Sequence, residues 1–277
     1  MKLPDSKLNI KLAAFDIDDT LINDEKRLSH RTTLALQEAV KKGIYVVLCS
    51  GRAENGILPY VRALNIAGSQ QGRFLIAFNG AEIFDLHTRS EIYSQVLSPN
   101  IQKFVNQEAE KRGLAAITYD SSTIYAGVDS KWARADAELC NLNFEKISNY
   151  EAFLETPRHK MLVPASPKEV EDFREFLLKS IGNKVDVFIS KPFFLEILPR
   201  DIGKGNAVLW LCDHLKINPK EAICFGDSMN DESMLTNVGI GVAMKNAFDY
   251  IKDVATFTTR YNNNEDGVAD FLEEFVL

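Results

Sequence analysis

The chain has 277 residues, a formal net charge of −7, 45% hydrophobic residues and 26% charged residues. This balance is typical of a globular protein with a full hydrophobic core, organised as one large domain or two of ordinary size. Because the charge is negative and no strongly basic stretch occurs, the sequence disfavours nucleic acid and anionic membranes as partners and favours a small molecule.

The cysteines and histidines give no sign of a metal centre or a disulfide framework. Four cysteines are scattered without a C-x-x-C pair, and the four histidines lack metal-ligand spacing, so we expect buried, reduced thiols. Residues 1–10 are polar, unlike a signal peptide, and no window approaches a transmembrane segment in apolar length. These features predict a cytoplasmic protein.

The first 80 residues alternate between buried strands and helices. Short apolar runs predict strands at 12–15, 44–49 and 74–78. Between them, Ser29 can cap a helix that runs to about residue 42 and stops at Gly43, and a second helix covers roughly 53–64. This rhythm predicts a parallel sheet with right-handed crossovers.

The middle of the chain follows a different pattern, beginning with a predicted hairpin of strands 81–84 and 91–96. Two blocks then each combine a helix opened by Ser-Pro with two strands. They are a helix 98–112 with strands 114–119 and 123–128, and a helix 166–181 with strands 185–190 and 193–198. The spacing of Ser166 and Glu169 predicts a capping box, and a helix at 131–140 lies between the blocks. An internal α-β-β duplication and coincidence explain the two blocks equally well.

The alternating pattern resumes near Pro199. Helices are predicted at 204–215, 231–235 and 268–275, with strands at 222–225 and 238–242. The simplest organisation is an α/β core, residues 1–81 and 199–277, with an α+β domain of residues 82–198 inserted between its halves.

Four polar clusters interrupt the predicted core. They are Asp16-x-Asp18-x-Thr20, Ser50-Gly51-Arg52, Gly203-Lys204-Gly205 and Gly226-Asp227-Ser228-Met229-Asn230-Asp231. Three follow a predicted strand and the other opens a helix, and such positions converge on one edge of a doubly wound sheet. Each alone has a simpler interpretation: a solvated turn or calcium loop, an ordinary turn, a surface lysine, or a helix cap. Their combination favours a joint chemical role.

The side chains of the four clusters together are suited to phosphoryl transfer. Carboxylate oxygens with no neighbouring histidine or thiol favour Mg²⁺, which is commonly held by one or two carboxylates and a substrate phosphate. A lysine and helix N-terminal amides add positive potential for phosphoryl oxygens. Two carboxylates at i and i+2 can act as a nucleophile, forming an aspartyl phosphate, and as a general acid and base.

The sequence resembles the haloacid dehalogenase superfamily phosphatases, and among them the Cof-type group with a type II (IIB) cap. The matching stretches are F-D-I-D-D-T-L at 15–21, C-S-G-R at 49–52, F-N-G-A at 78–81, G-K-G at 203–205, C-F-G-D-S-M-N-D at 224–231, G-V-A-M-K-N-A at 241–247 and E-D-G-V-A at 265–269. The resemblance implies a doubly wound, mostly parallel, Rossmann-like sheet of order 3-2-1-4-5, in which Asp16 and Asp227 face one another. It also implies that residues 82–198 form the cap domain that sets specificity.

The resemblance also implies roles for individual residues. Asp16 would be the nucleophile and Asp18 the general acid and base. The phosphoryl oxygens would be held by Ser50, Lys204 and the amide of Gly51, with Arg52 and Asn230 also binding substrate. Mg²⁺ would be bound by the Asp16 carboxylate, the Asp18 backbone carbonyl and Asp227, supported by Asp231.

The expected activity is Mg²⁺-dependent hydrolysis of a small phosphorylated metabolite. Sugar phosphates are the first expectation, with pyridoxal phosphate or flavin mononucleotide as alternatives. A hexose phosphomutase shares the Asp16 and Asp18 pattern, and a non-catalytic sugar-phosphate-binding regulator is an alternative of another class. Candidate cap contacts are Arg158, His159, Lys191 and Phe194, although surface charge or core packing explains each of them as well. The sequence gives no oligomeric state.

Overall fold

The computed structural model describes residues 2–65 and 72–277. Its contacts divide the chain into two compact units. The first comprises Met1–Gly51, Ile57–Ile92 and Gly203–Leu277, and the second comprises Arg52–Gly56 and Tyr93–Ile202. In the described part of the chain, no helix combines the length and apolar character needed to cross a bilayer.

The secondary structure follows the predicted alternation. In chain order the described strands are β1 Leu12–Asp16, β2 Tyr45–Cys49, β3 Arg73–Ala77, β4 Glu82–Asp85, β5 Ser90–Ser94, β6 Ile117–Tyr119, β7 Thr123–Ala126, β8 Asn143–Lys146, β9 Met161–Pro164, β10 Val185–Lys191, β11 Phe194–Pro199, β12 Ala222–Gly226, β13 Ile240–Ala243 and β14 Phe257–Thr258. The helices are α1 His30–Lys41, α2 Glu54–Leu64, α3 Pro99–Glu110, α4 Lys131–Cys140, α5 Tyr150–Phe153, α6 Pro167–Ile181, α7 Lys204–Leu215, α8 Glu232–Asn237, α9 Asp249–Val254 and α10 Gly267–Phe275.

The first unit is built on one sheet of order β14-β13-β12-β1-β2-β3-β4-β5. The strands from β14 to β3 run parallel, and β4 pairs antiparallel with β3. The strands β3, β2, β1, β12 and β13 lie side by side, which confirms the predicted 3-2-1-4-5 order. Strand β1 is buried along its whole length, as expected for a parallel strand covered on both faces.

The hairpin of β4 and β5 was predicted to belong to the inserted domain, but it extends the first sheet. The boundaries between the two units accordingly fall after Ile92 and Ile202 instead of after residues 81 and 198. The hairpin follows β3 after a short turn, so β4 pairs directly with the open side of β3. Its antiparallel pattern identified a hairpin but not the sheet that it joins.

The second unit contains a six-stranded sheet of order β10-β11-β9-β6-β7-β8. Its neighbours pair antiparallel except β7 and β8, which are parallel. Both predicted helix-hairpin blocks are present, as α3-β6-β7 and α6-β10-β11, and β9, which the sequence analysis missed, lies between the two hairpins. Whether the blocks arose by duplication stays a prediction. The core of this unit includes Val105 of α3, Leu177 of α6 and Val163 of β9.

Several local predictions are confirmed in detail. The Ser29 side chain accepts a hydrogen bond from the Thr32 amide at 3.0 Å and caps α1. The capping box of Ser166 and Glu169 is present at the start of α6. All four cysteines are free thiols, of which Cys49, Cys212 and Cys224 are buried as expected and Cys140 is only partly buried; burial raises the pKa of Cys212 to about 11. The strand predicted at 238–242 is shifted to β13, and α9 and β14 were not predicted because their segments are too short to show a clear period.

We expect Leu177→Ala to destabilise the second unit by about 2–5 kcal/mol, the usual cost of a buried leucine-to-alanine cavity. Leu177 is fully buried within that unit's core. The adjacent Leu178 is 40% exposed, and Leu178→Ala is the matched control, expected within about 0.5 kcal/mol of the wild type. Urea unfolding followed by circular dichroism measures both. Equal effects of the two substitutions would contradict the packing of α6.

Candidate active site

The predicted site residues meet at the carboxyl edge of the first sheet. Strands β1 and β12 are parallel neighbours with Phe15 opposite Phe225, so both deliver their carboxyl ends to the same edge. The Asp16, Asp227 and Asp231 carboxylates lie together there, with one oxygen of each within 4.8 Å of the others. The expectation that Asp16 and Asp227 face one another is confirmed.

Lys204 lies at the centre of this carboxylate cluster. Its side chain is fully buried, and its Nζ forms ion pairs with Asp16 Oδ1 and, at 2.6 Å, with Asp231 Oδ1. Burial alone would lower the pKa of Lys204, but the charges of Asp16 and Asp231 raise it above its ordinary value. The lysine therefore stays protonated. Helix α7, which begins at Lys204, is attached to α8 by a hydrogen bond from the Gly205 amide to Ser233 Oγ at 3.1 Å.

Asp231 organises the loop after β12. One carboxylate oxygen binds Lys204, and the other accepts hydrogen bonds from the backbone amides of Asp227 at 3.0 Å and Ser228 at 3.1 Å. Both oxygens are thus used by the protein itself. This arrangement fits a residue that supports the neighbouring ligands more than one that binds a metal directly.

Burial and mutual repulsion raise the pKa values of the other two carboxyl groups. Burial, and then the charge of Asp231, raise the pKa of Asp16 well above its usual range, although Lys204 opposes this. The same two causes raise the pKa of Asp227 to about 7, against a 2.8 Å hydrogen bond donated by the Thr20 hydroxyl. The carboxylates outnumber the single ammonium group, so a divalent cation would relieve their repulsion. Hard oxygen donors of this kind fit Mg²⁺.

Asp18 occupies a different environment from Asp16. It belongs to a single turn, Ile17–Leu21, that follows β1, and its side chain is 36% exposed. Its Oδ1 lies 3.2 Å from Nζ of Lys26. A hydrogen bond from a distant part of the chain stabilises this turn: Asn246 Nδ2 donates to the Asp19 carbonyl at 2.7 Å. A carboxyl group with access to solvent can exchange a proton with water, which a fully buried one cannot do.

Ser50 and Asn230 are brought together through a residue that the sequence analysis did not select. Asp16 is opposite Cys49 in the β1-β2 register, which places Ser50 at the same edge. The Ser50 carbonyl accepts from the Asn79 amide at 3.0 Å, and Asn79 Oδ1 accepts from Asn230 Nδ2 at 3.1 Å. A polar residue directly after the predicted strand 74–78 was the available signal for Asn79.

The remaining predicted contacts belong to the second unit. Arg52 belongs by its contacts to the second unit, and its role stays a prediction. Within that unit Phe194 is buried, and the Arg158 guanidinium lies 4.7 Å from the centre of the Phe153 ring. His159 Nε2 lies 2.9 Å from Ser94 Oγ, and Lys191 is exposed at the end of β10. Packing and surface charge account for these four residues.

We expect Asp227→Asn to stabilise the metal-free protein at about pH 8. The pKa of Asp227 is raised to about 7 in the folded state but is about 3.9 in an unfolded chain. A raised carboxyl pKa costs stability as the pH rises through this interval, because the unfolded state ionises first. The amide avoids this cost and can still accept from Thr20, so the gain should be on the order of 1–4 kcal/mol at pH 8 and disappear near pH 4.

Urea unfolding in the presence of EDTA measures this difference. The control is Asp213→Asn, at a side chain that is 86% exposed, where the free energy of unfolding should change by less than about 0.5 kcal/mol. A gain that is the same at pH 4 and pH 8 would show that Asp227 ionises without cost.

Comparison with known proteins agrees with this geometry. The family model of haloacid dehalogenase-like hydrolases matches residues 13–272. The Bacillus subtilis protein YxeH is 31% identical over 282 residues, covering 96% of this chain and 98% of that protein. The 5-amino-6-(5-phospho-D-ribitylamino)uracil phosphatase YcsE of Bacillus subtilis is 28% identical over 279 residues and covers 100% of both chains.

A solved structure has the same fold. A haloacid dehalogenase-like hydrolase from Bacteroides thetaiotaomicron superposes with a TM-score of 0.88 at 30% identity, covering 95% of this chain and 98% of that one. The sequence match over nearly the whole chain and the carboxylate cluster at the sheet edge lead to the same conclusion. The chain belongs to the haloacid dehalogenase-like hydrolase family and is an enzyme of the phosphatase class.

Proposed function

We propose that this phosphatase hydrolyses monoesters of small phosphorylated metabolites with Mg²⁺ bound, and that the reaction passes through an aspartyl phosphate on Asp16. The observation that carries the proposal is the buried contact of Lys204 with Asp16, beside Asp227 and Asp231. This arrangement supplies a nucleophile, a fixed positive charge and a set of metal ligands. Sugar phosphates are the substrate class that we favour, with pyridoxal phosphate and flavin mononucleotide as alternatives.

In the first step, a carboxylate oxygen of Asp16 attacks phosphorus, and the bond between phosphorus and the ester oxygen breaks. Asp18 donates its proton to the departing oxygen, which leaves as an alcohol. Lys204 lies beside the attacking carboxylate, so its charge is placed to stabilise the phosphoryl oxygens during transfer. Ser50, the Gly51 amide and Asn230 would hold those oxygens in position.

In the second step, Asp18 takes a proton from a water molecule whose oxygen attacks phosphorus. The bond between phosphorus and Asp16 breaks, inorganic phosphate leaves, and the Asp16 carboxylate is restored. The partial exposure of Asp18 supports its assignment to the proton transfers, because it must contact both the leaving group and water.

The Asp16 carboxylate, the Asp18 backbone carbonyl and Asp227 would hold the Mg²⁺ ion, with Asp231 fixing the loop that carries Asp227. Mg²⁺ supplies positive charge that lets carboxylates and a phosphate share one site. The hydrogen bond from the Thr20 hydroxyl orients the Asp227 carboxylate for metal binding.

We also propose that the second unit sets substrate specificity. Two relatives are named for different substrates: YcsE for a phosphoribitylamino uracil, and a Yersinia enterocolitica protein of 26% identity as an HMP-PP phosphatase. Such diversity among relatives of one chain supports a small phosphorylated metabolite as the class of substrate. It does not select one compound.

We expect Asp16→Asn to lower kcat by at least about 10³-fold, because an amide cannot attack phosphorus. Asp19→Asn is the matched control and should retain kcat within about twofold. Asp19 has a 56% exposed side chain, and its φ of +60° suits asparagine equally well. Release of p-nitrophenol from p-nitrophenyl phosphate measures both variants. A retained rate in Asp16→Asn would remove the nucleophile from the mechanism.

The substrate proposal is tested by phosphate release across a panel of phosphorylated metabolites, ranked by kcat/KM. We expect activity with Mg²⁺, loss of activity in EDTA, and the highest kcat/KM for sugar phosphates. Conversion of one sugar phosphate isomer into another without net phosphate release would indicate a phosphomutase instead. Tight binding with no turnover across the panel would indicate a regulator.

A further inference from the structure

The turn Phe78–Gly80, after β3, contacts three of the loops that carry proposed phosphate-binding residues, although it supplies none of those residues itself. The Asn79 amide donates to the Ser50 carbonyl at 3.0 Å, and the Asn79 side chain accepts from Asn230. A Cβ on Gly80 would lie 2.6 Å from the Gly203 carbonyl oxygen, so the turn also packs against the residue before Lys204.

The side chain of Asn79 is placed to orient the amide group of Asn230. The Asn230 Oδ1 accepts from the Ser228 hydroxyl at 2.6 Å, and one Nδ2 hydrogen is donated to Asn79 Oδ1 at 3.1 Å. An amide nitrogen carries two hydrogens, so this pair of bonds fixes the plane of the group and the direction of its second N–H. That hydrogen is the one through which Asn230 would contact a phosphoryl oxygen.

The same side chain lies against Gly51. A Cβ on Gly51 would meet Asn79 Nδ2 at 3.0 Å and Oδ1 at 3.1 Å, closer than most real side chains pack. Asn79 is itself buried, at 4% exposure, so it has little room to move away. Glycine at 51 therefore permits Asn79 to lie across the loop whose amide is proposed to bind phosphate.

We propose that Asn79 is a positioning residue of the phosphate site, which orients the Asn230 amide while its side chain packs against Gly51. The proposal rests on the function proposed above and adds a residue to it. It makes Asn79 act on the bound phosphoryl group through Asn230, without touching that group.

A purely local role for Asn79 makes a different prediction. Its φ is +56°, a conformation that asparagine adopts more readily than most residues, so the side chain could be needed only for the turn. Asn79→Gly separates the two roles because glycine tolerates positive φ and lacks the amide. Asn141→Gly is the matched control: Asn141 also has positive φ, 52°, and it is exposed at the end of α4.

The experiment measures the dissociation constant of inorganic phosphate by titration calorimetry, in saturating Mg²⁺, for wild type and four variants. These are Asn79→Gly, Asn230→Ala, the double variant and the Asn141→Gly control. We expect Asn79→Gly to weaken phosphate binding by about 5–20-fold, as for loss of a hydrogen bond network. The double variant should bind phosphate no more weakly than Asn230→Ala does, because both substitutions remove the same contact between Asn230 and phosphate. The control should bind as the wild type does.

The kinetics of p-nitrophenyl phosphate hydrolysis provide a second measurement, because a role of Asn79 in the turn alone would leave KM and kcat unchanged. Asn79→Gly should raise KM more than it lowers kcat, since the Asn230 contact holds the phosphoryl group in both ground and transition states. Unchanged phosphate binding in Asn79→Gly, or additive losses in the double variant, would overturn the proposal.

If Asn79→Gly does not fold, Asn79→Ala takes its place, because alanine also lacks the amide and its positive φ costs about 1–2 kcal/mol of stability. It should weaken phosphate binding as Asn79→Gly does, and wild-type affinity in the folded variant would overturn the proposal. A wild-type protein that binds phosphate but hydrolyses no ester would contradict the proposed function and leave this inference standing. A wild-type protein that binds no phosphate would overturn both.

Discussion

The ion pairs of the buried Lys204 ammonium are the interactions on which the site depends. They join the end of β1 to the start of α7 and to the loop after β12. A buried ammonium or carboxylate without a partner costs several kcal/mol, so neither Asp16 nor Lys204 could occupy its place alone. The excess of carboxylates over ammonium groups then leaves a negative site, which a divalent cation can complete.

The aspartates of the first unit's site differ in how deeply they are buried. Asp16 and Asp231 both pair with Lys204, and Asp231 also accepts from backbone amides, which suits the proposed nucleophile and its support. Asp18, two residues from Asp16, remains partly exposed beside Lys26, which suits the proposed proton carrier. Asp16 is the last residue of β1 and Asp18 lies in the turn that follows it, so the two side chains have different environments. Two neighbouring carboxyl groups thereby acquire different chemistry from their surroundings, without any difference in residue type.

The helices, strands and polar clusters that the sequence predicted each depend on a local pattern, whereas the order of the sheet came from the family resemblance. The apolar runs of β1, β2 and β12, with polar residues after each, were enough to place Asp16 and Asp227 at one edge. The hairpin of β4 and β5 was assigned to the wrong domain because the sequence pattern of a hairpin does not indicate which sheet it joins. Asn79 was missed as a site residue because its partners, Ser50 and Asn230, are distant in sequence and become visible only when the loops meet. Arg158 stacks on aromatic rings through contacts that no local pattern encodes.

The position of β1 between β2 and β12 has a consequence for the newly made chain. Asp16 and Lys204 are 188 residues apart, so at about 5–20 residues per second roughly 10–40 seconds pass between their synthesis. During that time β1 can pair with β2, but its other side has no strand to bind, and such an unpaired apolar edge invites association with other chains. A chain that ends before residue 222 lacks β12 and would therefore expose this edge of β1.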